Sequence, residues 1–202
     1  MSTPTVGVLA LQGDVREHLR ALSQVGAHPM AVRRVSELDQ VDALILPGGE
    51  STTMAKLART FEVFEAVADR IKTGMPTFGT CAGMVLLADR LRDGIEGQET
   101  LGGLDITVRR NAFGRQVDSF ESEVRFHIDD PAFERPLHAV FIRAPWVEEV
   151  GDGVDVLATV AVPGLGDRIV AVQQGQVLAT SFHPEVSDDL RLHQYFLDLI
   201  TG

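Results

Sequence analysis

Apolar positions along this chain follow two rhythms. In the first half, short unbroken apolar runs alternate with amphipathic stretches. Thr5-Val6-Gly7-Val8-Leu9-Ala10-Leu11 is continuous and reads as a strand buried on both faces. Asp14 then reads as a helix cap with Glu17 supporting the first turn, Leu19, Leu22 and Val25 lining one face, and Gly26 as the stop. A second strand is predicted over Met30 to Val35 and a third over Ala43 to Leu46, ending at Pro47-Gly48-Gly49. Phe61, Phe64, Val67, Ala68 and Ile71 fall at helical spacing. Pro76-Thr77-Phe78 reads as a fourth strand, and Ala82 to Leu91 as the helix after it. This alternation predicts an α/β fold with a mostly parallel sheet flanked by helices.

The second half changes character. Ile106–Arg109, Glu121–Phe126, Ala139–Ile142, Val154–Val160, Ile169–Gln173 and Val177–Phe182 all read as strands. Several are separated only by short turns, which predicts antiparallel strands in this half. Asp188 to Ile200 reads as a closing helix, with Leu190, His193, Leu197 and Ile200 on one face. Linkers, repeats and low-complexity tracts are absent from the sequence, so residues 1–202 read as a single domain.

Composition narrows the picture modestly. The 202 residues are 45% hydrophobic and 23% charged, ordinary for a soluble globular protein. A chain of this length buries enough surface to need no disulfide or metal staple. The net charge of −11 argues against nucleic acid or an anionic membrane as partner. No apolar run approaches the roughly 20 residues of a membrane span. The N-terminal residues lack the basic and apolar regions of a signal peptide. A lone cysteine forms no internal disulfide, which fits a reducing cytoplasm.

That cysteine carries the first chemistry. Cys81 sits in Phe78-Gly79-Thr80-Cys81-Ala82-Gly83, between a predicted strand and a predicted helix. This is the sequence form of a nucleophile elbow, with glycines two positions either side allowing a sharp turn. The following helix aims its N-terminus at the sulfur and favours thiolate. A buried structural cysteine would have no need of the flanking glycines. A hundred residues later, Ser181-Phe182-His183-Pro184-Glu185 ends another predicted strand. In extended chain His183 and Glu185 would point the same way, so Glu185 could hold one imidazole nitrogen while the other faces the thiol. The other histidines are weaker candidates. His18 and His193 fall in predicted helices, and His28, His127 and His138 in loops or at strand edges. Each reads as an ordinary surface or core residue. Finally, Leu46-Pro47-Gly48-Gly49-Glu50-Ser51-Thr52 links a strand to a helix. Its glycine N–H groups, with that of Ala82, could meet a carbonyl oxygen gaining charge.

Together these blocks resemble class I glutamine amidotransferases, whose glutaminase domain carries a Cys-His-Glu triad. The blocks Gly7 to Gly13, Leu46 to Met54, Gly79 to Gly83, Arg110 to Phe120, Phe141 to Pro145 and Ser181 to Glu185 are similar to the glutaminase-subunit family of pyridoxal 5′-phosphate synthases. The triad blocks are shared by many amidotransferases. Arg110-Asn111-Ala112-Phe113-Gly114-Arg115-Gln116-Val117-Asp118-Ser119-Phe120 and Phe141-Ile142-Arg143-Ala144-Pro145 are the more specific ones.

The resemblance implies a class I glutamine amidotransferase-like (flavodoxin-like) fold and a catalytic set of Cys81, His183 and Glu185. It implies that L-glutamine is held by Gly49, Glu50, Ser51, Arg110, Ile142 and Arg143. The oxyanion would be met by the N–H groups of Gly49 and Ala82. It implies no metal and no cofactor. Taken alone, Arg110 and Arg143 read as solvated surface residues. The implied partner is the (β/α)8-barrel synthase subunit, in a complex of twelve plus twelve subunits, which receives the ammonia and builds the coenzyme. The rival readings are the glutaminase of another amidotransferase, a non-glutaminase cysteine hydrolase of similar fold, and a binding subunit without catalysis.

Overall fold

The unbroken apolar runs of the N-terminal half become parallel strands. The computed structural model describes residues 3–94, 97–110, 119–162 and 164–202, so the motif stretch from Asn111 to Asp118 lies outside the described residues. β1 (Thr5–Leu9) pairs in parallel with β2 (His28–Val32) and β3 (Ala43–Leu46); β3 pairs with β4 (Thr77–Thr80), and β4 with β12 (Val177–Thr180). Between them lie α1 (Val15–Gln24), α2 (Val35–Leu38), α3 (Ser51–Thr60), α4 (Phe64–Lys72) and α5 (Ala82–Leu87). The expected parallel α/β half is therefore present.

Beyond β12 the sheet turns antiparallel. β11 (Gly166–Gln174) runs against β12, β10 (Asp155–Val162) and β9 (Trp146–Val150). β9 runs against β6 (Leu104–Arg109), which pairs in parallel with the edge strand β5 (Ala88–Arg92). The ten-stranded sheet has the order β2-β1-β3-β4-β12-β11-β9-β6-β5, with β10 attached to β11. β7 (Ser119–Val124) and β8 (Leu137–Ile142) form a separate two-stranded ribbon. α6 (Arg191–Thr201) closes the fold.

Alternate residues of the strands feed two apolar layers, as the pleat requires. Leu9, Leu44 and Leu46 pack with Met54, Val67, Ile71 and Leu86 of α3, α4 and α5. Val6, Val8, Ile45, Phe78 and Leu178 pack on the other face with Leu22 of α1 and Leu192 and Phe196 of α6. Among the described residues, no helix is long and apolar enough to cross a membrane.

Four sequence expectations change. The second strand begins at His28 and stops at Val32, because the Glu37 carboxylate accepts from the Arg33 and Arg34 N–H groups and starts α2. The helical spacing expected to include Phe61 begins only at Phe64, and Phe61 lies between two helices. The Val63 N–H donates to Ala58 O and the Glu62 N–H to Arg59 O, a Schellman ending with Glu62 at φ 56° and Phe61 left exposed. The helix predicted from Ala82 to Leu91 ends at Leu87, and the rest becomes β5 because the edge of β6 is open to pair there. β9 lies outside the expected strands, since Glu148 and Glu149 break its apolar pattern; it is held by β6 and β11.

A close backbone crossing lies where β4 turns into α5. A Cβ added to Gly79 would lie 2.6 Å from the Gly83 carbonyl carbon, and one added to Gly83 would lie 2.1 Å from Leu46 O. Backbone cannot yield there without moving β3 or β4. Gly83→Ala is expected to destabilise the protein by about 1–3 kcal/mol or more, as overpacking does. Urea unfolding would read this as a lower midpoint; an unchanged midpoint would show that the crossing has slack.

Candidate functional site

Cys81 is the residue at which β4 leaves the sheet. Its N–H donates to Thr180 O at 2.8 Å, extending the β4–β12 ladder by one bond. Its backbone then turns sharply, at φ 49° and ψ −101°, before α5 begins at Ala82. A non-glycine residue held in that region is strained and marks a position whose side chain must be aimed. Ala82, as the first residue of α5, has no intrahelical acceptor for its N–H. The Cys81 sulfur lies 3.9 Å from Ile142 O at the end of β8.

His183 follows β12 by three residues, and its N–H donates to Val140 O of β8 at 3.0 Å. The chain there does not stay extended. Pro184–Val186 is a 3₁₀ turn, so strand alternation is not what aligns His183 with Glu185. The turn brings Glu185 Oε1 to 2.8 Å from His183 Nδ1. The imidazole and the Cys81 sulfur line the same cleft. Gly48 is needed for this approach: a Cβ there would sit 2.2 Å from His183 Cε1.

A residue that reads in the sequence as a helix cap faces the same ring. Asp14 makes no capping hydrogen bond to α1. Its Oδ2 lies 3.2 Å from His183 Nδ1, sharing that nitrogen with Glu185. Burial of His183 disfavours its charged form, but the neighbouring Asp14, Cys81 and Glu185 side chains outweigh it and push the imidazole pKa well above its ordinary range. Burial pushes the Glu185 carboxyl up, against the pull of His183. Asp14, His183 and Glu185 offer ligand atoms within 4.8 Å of one another. With the Nδ1–H donating to Glu185 and facing Asp14, however, that nitrogen has no lone pair for a metal.

These groups open into a cleft of about 340 Å³, within the small-ligand range. Gly49, Glu50, Ser51, Cys81, Ala82, Arg110, Ile142, Arg143 and His183 all line it. Every site residue expected from the sequence is thus at one cleft, except that Glu185 stands behind the ring. Arg143 holds φ 43°, a second non-glycine residue in the left-handed region at the cleft wall.

The end away from the sulfur is a polar lattice. Glu50 caps α3, accepting from the Thr52 N–H at 3.1 Å and the Thr53 N–H at 2.8 Å, and it receives Arg110 Nη2 at 3.0 Å. Partial burial opposes ionisation, yet the Thr53 and Thr52 hydrogen bonds lower the Glu50 pKa to about 2. Gln98 joins the lattice by donating to Ser51 Oγ at 3.0 Å and accepting from Arg110 Nη1. Gln12 accepts from the Glu50 N–H at 2.8 Å. Sequence reasoning missed Gln12, Asp14 and Gln98 as site residues. A signal existed for Gln12, which lies in the Gly7 to Gly13 block one residue past an apolar strand, where a polar side chain marks a ligand-facing strand end.

The comparisons agree with this geometry. Residues 8–201 match the model of the SNO glutamine amidotransferase family. A pyridoxal 5′-phosphate synthase subunit PdxT from Nocardioides sp. is 64% identical over 200 residues, 99% of this chain and 98% of the relative. The protein of the same name from Nocardia farcinica is 59% identical, over 98% of this chain and 87% of the relative. A crystal structure of a glutamine amidotransferase superposes with a TM-score of 0.85 at 47% identity, covering 98% of this chain and 99% of that one. A glutamine amidotransferase from Thermotoga maritima shares the fold, with a TM-score of 0.62 at 14% identity over 100% of this chain and 95% of that one. On its sequence along nearly the whole length, the chain belongs to the SNO glutamine amidotransferase family.

Proposed function

We propose that residues 1–202 act as one glutaminase domain in which Cys81, His183 and Glu185 hydrolyse L-glutamine and release ammonia to a synthase subunit for pyridoxal 5′-phosphate formation. The observation that carries this is the meeting of Cys81 and His183 at one cleft that also holds Arg110, with buried Glu185 hydrogen-bonded to the His183 ring at 2.8 Å. The raised His183 pKa favours an imidazolium in the cleft beside Cys81, the kind of neighbour that activates a cysteine nucleophile.

The thiolate adds to the side-chain amide carbon, and the oxygen gains the charge. The Ala82 N–H is placed to meet it, with Gly49 N–H as the second donor; each such donor is worth about 2.7–4 kcal/mol in the transition state. The His183 imidazolium gives its proton to the departing nitrogen, the C–N bond breaks, and ammonia leaves from a glutamyl thioester. His183, now neutral, takes a proton from water, whose oxygen attacks the thioester and releases glutamate. Glu185 holds the ring in orientation throughout. Arg110 and Arg143 are assigned to the α-carboxylate end, where a planar guanidinium binds bidentately. Glu50, Ser51 and Ile142 complete the substrate wall.

The partner is part of the same proposal. Free ammonia in neutral water is mostly ammonium, which is not a nucleophile, so a closed handover to a docked (β/α)8-barrel synthase subunit is favoured. We assign a complex of twelve plus twelve subunits and a cytoplasmic setting, the latter consistent with one unpaired cysteine. The Gly48–Gly49 peptide is held by the Asp14 N–H, which donates to Gly48 O at 3.1 Å. A trans peptide points its N–H opposite its carbonyl, so docking that turns this peptide would re-aim the Gly49 N–H.

Three outcomes are expected. Cys81→Ala should abolish glutamine hydrolysis in the mixed subunits yet leave coenzyme synthesis intact when ammonium salt is supplied; loss of the ammonium-fed route would mean the role is misassigned. Glu185→Gln should lower kcat by about 10²–10⁴-fold with assembly unchanged by gel filtration, since the ring loses its charged orienter. A wild-type rate would remove Glu185 from the set. Glutamate release should rise sharply when the synthase subunit is added; equal rates with and without it would rule out completion of the oxyanion site by docking.

A further inference from the structure

Behind Glu185 lies a second pair of histidines that the mechanism above does not use. His18 of α1 and His193 of α6 are both fully buried. His18 Nδ1 lies 2.9 Å from His193 Nε2, and His18 Nε2 lies 3.1 Å from Thr80 Oγ1, at the end of the strand that delivers Cys81. The same His18 Nε2 is 3.5 Å from Glu185 Oε2. Among the described residues, Glu185 Oε2 and His193 Nδ1 are buried with no hydrogen-bond partner.

Counting donors chooses between the two neutral tautomers. If His18 carried its proton on Nδ1, it would donate to His193 Nε2, leaving the His193 Nδ1–H as a buried unsatisfied donor. Glu185 Oε2 would then face a bare ring nitrogen. If His18 carries its proton on Nε2, the His193 Nε2–H donates to His18 Nδ1, and the His18 Nε2–H faces Thr80 Oγ1 and Glu185 Oε2. Only a lone pair on His193 Nδ1 is then left over. An unsatisfied buried carboxylate oxygen is the most costly of these orphans, so the second arrangement wins.

We infer that His18 is a positioning residue for the reaction: its Nε2–H, oriented by His193 and Thr80, faces the free oxygen of Glu185 from 3.5 Å, longer than a hydrogen bond, and this N–H dipole favours an ionised carboxylate aimed at His183. The inference rests on the proposed glutaminase reading for its consequence but on the buried contacts for its geometry. Burial, then the neighbouring His193 and His183, keep the His18 pKa well below the ordinary imidazole value, and burial alone lowers that of His193 to about 4. Both rings are thus neutral donors and not counter-ions. The other charged or titratable groups around Glu185 are His183 on its own turn and Asp14 before α1. Glu17, Arg20 and Asp188 border the outer cleft beside it. His138 of the adjoining β8 is turned to Glu121 and Glu123. None of these groups hydrogen-bonds to Oε2.

The pH dependence has a definite sign. Removing a donor from a buried carboxylate raises its pKa. A protonated Glu185 no longer supports the His183 imidazolium, so the thiolate is lost on the acid side. His18→Phe should move the acid limb of Cys81 alkylation by iodoacetamide up by about one pH unit. The acid limb of kcat, measured with the synthase subunit present, should move with it while KM changes little. His18→Gln, which keeps an N–H in reach, should return most of the shift. An unmoved limb in His18→Phe, or equal limbs in the Phe and Gln variants, would overturn the inference and leave His18 as packing. The wild-type protein supplies a test that needs no variant. Nitrogen-15 NMR of the imidazoles should find His18 neutral with its proton on Nε2; a proton on Nδ1 would overturn the inference. Because alkylation and NMR need no glutamine, a failure of the glutaminase reading would show separately, as absent glutamate release from wild-type protein.

Discussion

The register between β4 and β12 is the constraint on which the site depends. Thr80 lies opposite Thr180 in a parallel ladder, and the Cys81 N–H adds one more bond to Thr180 O. Cys81 leaves the sheet one residue past that pair, and His183 leaves three residues past it. A slip of one residue would displace the ring by about 3.3 Å and reverse which face each side chain meets. The register is fixed by burial on both faces: Phe78 and Leu178 belong to one apolar layer and Ala179 to the other. Core packing therefore sets the thiol–imidazole distance directly, with no flexible loop between the two.

Around that fixed pair the site divides into a rigid chemical end and a polar recognition end. At the chemical end the strained turn at Cys81, the close contact of Gly79 with Gly83, and the approach of Gly48 to His183 leave little freedom. At the recognition end, Glu50, Arg110, Gln98 and Ser51 form a connected lattice in which each polar group already has a partner. A ligand carboxylate entering there would exchange partners with Arg110 and would not meet a bare charge.

That Cys81, His183 and Glu185 meet was legible in the sequence, because the signals are local. A cysteine between turn glycines and a histidine two residues from a glutamate are short patterns, and the strands before them are unbroken apolar runs. What failed was what depends on distant neighbours. β5 reads as helix until β6 offers it an open edge, and β9 is masked by Glu148 and Glu149, which face salt-bridge partners Arg92 and Arg109. Asp14 reads as a cap because its ring partner is far away in sequence. His18 and His193 look like any histidine on an amphipathic helix; only the packing of α1 and α6 against β4 shows that they meet. The alternation argument for His183 and Glu185 reached the right pairing through the wrong geometry, since a 3₁₀ turn makes the contact.

One wall of the cleft belongs to neither the sheet nor its covering helices. Ile142 and Arg143 hang from the β7–β8 ribbon, which has only two strands and is marginal by itself. It is anchored from below by aromatic rings, Phe141 on Phe182 at 5.5 Å and Phe120 stacked on Phe141 at 4.4 Å. On the proposed reading, the molecule therefore separates what performs the reaction from what screens the visitor. Substitutions in this ribbon could retailor which molecules are admitted while the bond-breaking apparatus, rooted in a different part of the architecture, is inherited intact.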